Sequence, residues 1–277
     1  MIIKPARIGV FCHMFHSELF GEVADHLANI PYPYDLYLST STVDDWRTLR
    51  QMFPRANVAI VPNRGRDLAP KFITFGSLHH LHDIVLHLHT KKSIPGWRHH
   101  IYQHLLGSPA VVSEIVNAFD LNPRLGIIAG EHYPPISAWV RWTDNRPHAE
   151  TIAARMSVEL TDDIEFPSGS MFWARPAALQ PIFDLRLSYN DFPPEPIPPD
   201  GTFAHALERM IFLSAIKAGY SWSIMSLESG TPLLSAPCDA HIRPDWTPPP
   251  FPEGEAPRED QPAARETVPA LARLSRL

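Results

Sequence analysis

Asp83–Ser93 reads D-I-V-L-H-L-H-T-K-K-S. In an extended strand Ile84, Leu86 and Leu88 face one way, and Val85, His87 and His89 the other. The strand runs directly into Thr90, Lys91, Lys92 and Ser93. An apolar strand ending in a basic, hydroxyl-rich cluster is how an α/β protein presents an anion site at the carboxyl edge of its sheet.

Outward from this stretch the chain alternates. Upstream, I-G-V-F-C within Ala6–Met14 reads as a first strand. Leu19, Val23, Leu27 and Ile30 then form the apolar stripe of a helix stopped by Pro31. Tyr34–Thr40 reads as a second strand, Thr42 and Asp45 as the capping pair of a short helix, and Asn57–Val61 as a third strand. Downstream, Ser108-Pro109 opens a helix, Leu125–Ala129 reads as a fifth strand, and Phe166–Arg175 as a strand entered through a glycine turn. Thr202 is placed to cap a long helix ending at Gly219, and Trp222–Met225 reads as a last strand. The pattern predicts an α/β fold: a mostly parallel central sheet with helices on both faces.

The bulk properties narrow the function. At 277 residues and 44% apolar, the chain can bury a sizeable core, and residues 1–243 read as a single domain. A net charge of -6 speaks against nucleic-acid binding. Cys12 and Cys238 fit no metal or redox spacing and point to a reducing compartment. Lys4 and Arg7 lead into G-V-F-C without a leader-like apolar core, and no run approaches the roughly 20 residues that span a bilayer. A cytosolic protein is expected, with the inner face of the membrane as a place of peripheral contact. Residues 244–277 shift to Pro, Glu, Ala and Arg and read as a disordered tail, whose Leu271–Leu277 could form a basic amphipathic turn.

Candidate site residues gather at the strand ends. Asn63-Arg64-Gly65-Arg66-Asp67 sets two arginine forks, which suit a diphosphate, beside an amide and a carboxylate, which suit ribose or sugar hydroxyls. An ordinary charged turn is the competing reading. His87 and His89 share a strand face and are expected to line the cleft, with Lys91 and Lys92 contacting phosphate. No carboxylate or cysteine joins the histidines at ligand spacing, so no metal is expected. Gly169, Ser170 and Trp173 fit a wall for a sugar ring, or equally a buried strand after a tight turn. Ser168-Gly169-Ser170 does not fit the G-x-S-x-G elbow of a serine nucleophile. Asp200 opens a helix bearing His205, Glu208 and Arg209, with His205 and Glu208 on one face. A carboxylate here could serve the helix dipole or a buried ion pair, or take a proton from an attacking hydroxyl.

N-R-G-R-D (Asn63–Asp67), D-I-V-L-H-L-H-T-K-K-S (Asp83–Ser93), L-L-G-S (Leu105–Ser108), F-P-S-G-S-M-F-W-A-R-P (Phe166–Pro176) and D-G-T-F-A-H-A-L-E-R (Asp200–Arg209) together resemble the rhamnan synthesis protein F family. The five motifs are collinear and cover about Arg7 to Tyr220. The resemblance implies a part in building bacterial surface polysaccharide, such as rhamnose-containing chains or lipopolysaccharide O-antigen. It implies glycosyl transfer from a nucleotide-sugar donor to a polysaccharide or lipid-linked acceptor. The order of motifs is also similar to the GT-A glycosyltransferase plan, in which an Asp-x-Asp edge motif holds a divalent metal. Here that place reads His87-Leu88-His89-Thr90-Lys91-Lys92, so protein cations stand where the metal would, and no cofactor is expected. In this reading Arg64, Arg66, Lys91 and Lys92 hold the diphosphate, and Asn63 and Asp67 contact ribose or sugar. Gly169, Ser170 and Trp173 shape the pocket. Asp200 is the base, with Glu208 the second candidate. Two other classes stay open: a non-catalytic sugar- or nucleotide-binding component of an assembly complex, and a metal-dependent hydrolase built on the histidines.

Overall fold

The computed structural model describes residues 6–250. Within them one sheet is formed by β1 (Ile8–His13), β2 (Tyr34–Thr40), β3 (Asn57–Ile60), β4 (Ile84–His89), β5 (Leu125–Gly130), β6 (Phe172–Ala174), β7 (Ser221–Glu228) and β8 (Thr231–Leu234). Their order in space is β3-β2-β1-β4-β6-β5-β7-β8. The helices are α1 (Phe20–Leu27), α2 (Val43–Met52), α3 (Trp97–Leu106), α4 (Pro109–Leu121), α5 (Arg146–Met156), α6 (Gln180–Phe183), α7 (Phe203–Arg209) and α8 (Ile211–Lys217).

The sheet is mixed rather than mostly parallel. β1 to β4 pair in parallel, as do β5 and β7. β6 runs antiparallel to both β4 and β5, and β8 antiparallel to β7. The reversal at β6 has a simple cause. The chain enters it from the 167–170 turn, which already lies at the carboxyl end of β4, so β6 can only run back down the sheet. A parallel strand would have needed a crossover to the other end. Three residues are too few for their periodicity to reveal that direction.

The alternation in β4 does separate two cores. Ile84, Leu86 and Leu88 pack with Val10, Trp173 and Ile128 under α1, α3 and α4. Val85 packs with Phe11, Phe172, Ala174 and Ile127 under α5 to α8 and the 68–75 segment. Two of the expected caps form: Thr42 Oγ accepts from Asp45 N–H at 3.1 Å and Ser108 Oγ from Val111 N–H at 3.3 Å; Thr202 stands at the start of α7, but its side chain makes no capping hydrogen bond. The long helix expected after Thr202 is two helices, broken at Met210 (φ -86°, ψ -3°) with no glycine or proline to mark the break. Asp67 is followed not by an ordinary helix but by a wide turn over Pro70–Thr74 and a 3-10 helix over Gly76–Leu81. The expected tail begins differently: Arg141 donates to the Pro249 carbonyl at 2.7 Å and Trp246 packs on the His132 ring. Residues 251–277, including Leu271–Leu277, lie outside the described residues.

His87 belongs to the second core. It is fully buried among Phe11, Phe72 and Phe172. Its Nε2 lies 2.8 Å from His79 Nε2, and His79 Nδ1 lies 3.0 Å from the Phe75 carbonyl. A carbonyl only accepts, so His79 Nδ1–H is the donor there, its Nε2 is the acceptor, and His87 Nε2–H donates to it. Burial pushes His79 down to about 3 and His87 well below its ordinary value.

Two outcomes follow from this packing. Trp173, fully buried and donating from Nε1 to the Leu105 carbonyl at 3.2 Å, is a core residue between β4 and β5. Trp173→Ala should therefore cost about 3–5 kcal/mol in denaturant unfolding. A loss under about 1 kcal/mol would mark it as a pocket wall instead. The folded state binds fewer protons at His79 than the unfolded chain does, so this stabilisation is complete above pH 6.5 and is lost as pH falls toward 3. Between pH 6.5 and 5 His79 alone should cost about 2 kcal/mol, with His87 adding to the loss, read as a lower denaturation midpoint; an unchanged midpoint would contradict a neutral buried pair.

Candidate functional site

The carboxyl ends of β1, β3 and β4 converge on one cluster. After β3, Gly65 (φ 72°) and Arg66 (φ 52°) both take the left-handed conformation. A β-carbon at Gly65 would sit 2.5 Å from Ala69 Cβ and 2.8 Å from the Phe192 ring, so only glycine fits this turn. The turn drives Asp67 inward, where Lys71, one turn later, donates from Nζ to Oδ2 at 2.7 Å. Lys71 is 1% exposed, and its second hydrogen bond goes to the Ser170 carbonyl at 3.1 Å.

The 167–170 turn is thereby held by side chains from three directions. Lys71 holds the Ser170 carbonyl. His89, at the end of β4, donates from Nε2 to the Gly169 carbonyl at 2.8 Å, with Asp67 Oδ1 3.9 Å from the same nitrogen. Glu208 on α7 accepts the Gly169 N–H at 2.6 Å. Gly169 (φ 91°) leaves no room for a side chain: a β-carbon would meet Ile101 at 2.7 Å and the Trp97 ring at 3.5 Å. Lys91 Nζ lies over the Trp97 ring, 3.9 Å from its centroid. His13, at the end of β1, completes the buried edge through Ser39 Oγ at 2.9 Å.

The charges follow from burial and pairing. Burial pushes the Asp67 carboxyl up, but His89 and Lys71 outweigh it and hold it below the usual carboxylate range. Burial takes His89 down to about 4 and His13 to about 3, against the pull of Asp67, so both are neutral near pH 7. Glu208 moves the other way: burial raises it, opposed by Arg209 and Lys91. Asp200 is also desolvated, but Arg209, Thr143 and Asn145 hold it below its ordinary value. Thr143 Oγ donates to it at 2.5 Å, Asn145 Nδ2 at 2.7 Å, and Arg209 Nη2 lies 3.4 Å away. Asp200 thus ties the 143–145 turn to the start of α7.

The expected site residues divide accordingly. Asp67, His89, Lys91, Gly169, Ser170 and Glu208 come together. Arg64 donates to the Phe192 carbonyl at 2.5 Å, and Arg66 lies 3.4 Å from the Pro198 carbonyl and 3.9 Å from Glu195, so both arginines draw in the 190–198 loop. Asn63 is half-buried at the start of their turn. Lys92 pairs with Glu18 at the surface. Thr90 Oγ is occupied by the N–H groups of Phe15 at 2.8 Å and His16 at 2.9 Å. His205 bonds Thr202 Oγ at 2.8 Å. His87 and Trp173 lie in the two cores and do not reach the cluster. The sequence reading missed Lys71 and His13. Lys71 stands four residues after Asp67, the spacing at which a helical carboxylate and ammonium meet, and that was a usable signal.

Among the described residues no group of three or more His, Cys, Asp or Glu side chains could hold a metal ion. No helix among them is long and apolar enough to cross a membrane.

In two strains of Xanthomonas campestris pv. campestris, a protein called uncharacterized protein WxcX is 32% identical over 222 residues, covering 76% of this chain and 32% of the relative. The chain spans about a third of the length of these curated relatives. The rhamnan synthesis protein F family matches residues 1–220, a span that takes in every residue of the cluster, and the chain belongs to that family.

Proposed function

We propose that this chain transfers a sugar, rhamnose or another deoxyhexose among the donors that fit, from a nucleotide sugar to a growing or lipid-linked bacterial polysaccharide. Membership of a rhamnan synthesis family supports the polysaccharide setting. A GT-A-like frame is supported by the parallel β1–β4 half, the edge motif after β4, the glycine turn before β6 and the acidic helix α7. The observation that carries the reaction is Glu208, a carboxylate of raised pKa with the Gly169 N–H on Oε1, beside the sheet's carboxyl edge.

Glu208 is the base in this reading. It takes the proton of the acceptor hydroxyl as that oxygen bonds to the anomeric carbon, and the bond from that carbon to the diphosphate breaks. A base works best when its pKa approaches the working pH, which burial favours at Glu208 and the hydrogen-bond donors oppose at Asp200. Lys91 meets the charge developing on the leaving diphosphate. Ser93 Oγ and Trp97 Nε1, buried and without a hydrogen-bond partner among the described residues, supply polar atoms for the ligand beside it. Asp67 is committed to Lys71, so ribose or sugar contact falls to Asn63. Lys92, Arg64 and Arg66 form a rim that must exchange its present partners to reach phosphate.

The residues in the place of Asp-x-Asp do not fit a divalent metal. His87 Nε2 is committed to His79, both His89 nitrogens face backbone carbonyls, and Lys91 and Lys92 are cations. No step is therefore routed through a metal.

Glu208→Gln should lower turnover of the nucleotide-sugar donor by about 10²–10⁴-fold with little change in donor affinity. Asp200→Asn should retain most transfer and lose thermal stability instead. The wild-type rate should fall on the acid side at a pH above 4.5, because the base must be ionised and its pKa is raised. Full transfer by Glu208→Gln with loss in Asp200→Asn would move the base to Asp200. Full biological function in both variants would favour a non-catalytic binding role.

A further inference from the structure

A second polar chain ends on the same turn. Ser168 Oγ lies 3.0 Å from His132 Nδ1, and His132 Nε2 lies 3.3 Å from Glu165 Oε1. Glu165 is fully buried, and Arg243 fixes it three ways: backbone N–H to Oε2 at 2.8 Å, Nη2 to Oε1 at 2.9 Å, and Nε to Oε1 at 3.1 Å. Trp246 packs against the imidazole at 5.2 Å between ring centroids. His132 is 5% and Ser168 8% exposed.

Beside Arg243, Glu165 stays ionised and can only accept, so His132 carries its proton on Nε2. Its Nδ1 is then a lone pair, and the Ser168 hydroxyl donates to it. A hydroxyl on a base, the base oriented by a carboxylate and the carboxylate fixed by a cation are the parts of an activated serine nucleophile. The two ring nitrogens are used in the opposite sense from the familiar serine triad, but either nitrogen can accept the proton.

We propose that Ser168 is a nucleophile that accepts an acyl group from an oxygen ester, with His132 as its base and Glu165 as the residue orienting the base. Ser168 Oγ bonds to the ester carbonyl carbon while its proton passes to His132 Nδ1. The carbonyl electron pair returns, the ester C–O bond breaks, and the leaving alcohol takes the proton from His132. Water then bonds to the acyl carbon as His132 takes its proton, the bond from that carbon to Ser168 Oγ breaks, and Oγ recovers the proton from His132 as the carboxylic acid leaves. The backbone donor next to Ser168, Gly169 N–H, is committed to Glu208, so the geometry offers activation of the hydroxyl more than an oxyanion cradle. That restricts the substrate to esters, such as an O-acylated sugar, and excludes amides. The sugar portion rests on the reading of the preceding subsection; the acyl chemistry does not.

The test uses the full chain, a fluorophosphonate probe and p-nitrophenyl acetate, neither of which involves sugar transfer. Intact mass and peptide mapping should show one adduct, on Ser168. Ser168→Ala and His132→Asn should each reduce ester hydrolysis by at least about 10²-fold. Ser168→Ala, a small deletion, should stay folded with a modestly lower melting temperature from the unpaired His132 Nδ1, and serves as the decisive variant if His132→Asn fails to fold. No adduct, an adduct elsewhere, or hydrolysis unchanged in Ser168→Ala would overturn the proposal. Labelling of Ser168 in a wild-type chain that transfers no sugar from any nucleotide-sugar donor would overturn only the sugar-transfer reading.

Discussion

A lysine ammonium buried to 1% exposure has to be paired, and the Lys71–Asp67 contact is the condition on which the rest of the sheet edge depends. The pair exists because the Gly65–Arg66 turn throws Asp67 inward. Lys71 then has a donor left for the Ser170 carbonyl, and His89 and Glu208 take the carbonyl and N–H of Gly169. The 167–170 turn cannot satisfy these groups in a strand ladder, so side chains from three elements do it instead. One buried ion pair thereby couples the end of β3, the end of β4, the entry to β6 and α7. Removing either partner would leave an uncompensated charge, a loss of about 3–5 kcal/mol for such pairs.

The same network explains why two neighbouring carboxylates behave oppositely. Asp200 collects donors from Thr143, Asn145 and Arg209 and is held ionised as a brace between the 143–145 turn and α7. Glu208, eight residues on, has burial as its strongest influence and is left more basic. The difference lies in side chains that arrive from 143–145, far away in sequence. No inspection of D-G-T-F-A-H-A-L-E-R alone could have ranked the two.

That contrast marks how far the sequence could be read. The positions of β1 to β7, the Thr42 and Ser108 caps and the two faces of Ile84–His89 were legible, because each depends on periodicity or on residues within one turn; β8, four residues long and half exposed, was not. The antiparallel sense of β6 was not, since three residues carry too little pattern and the direction follows from where the preceding turn is held. His87 shows a similar limit: alternation places it correctly on the face shared with Val85, but that face is fully covered, so a residue expected in the cleft is a core histidine bonded to His79. The arginines of N-R-G-R-D were recognised as forks, yet their partners are backbone carbonyls about 130 residues later. Trp173 was open between wall and core, and its burial decides for core.

The proposed function rests on this edge binding the diphosphate of a nucleotide sugar with the protein's own cations. Calorimetric titration of the full chain with dTDP-rhamnose, GDP-sugars and UDP-sugars in the presence of EDTA tests it most directly. At least one donor should bind in EDTA, with an affinity that added Mn²⁺ leaves unchanged and that Lys91→Ala weakens at least tenfold. Binding that appears only with Mn²⁺, or binding by none of the donors, would contradict it.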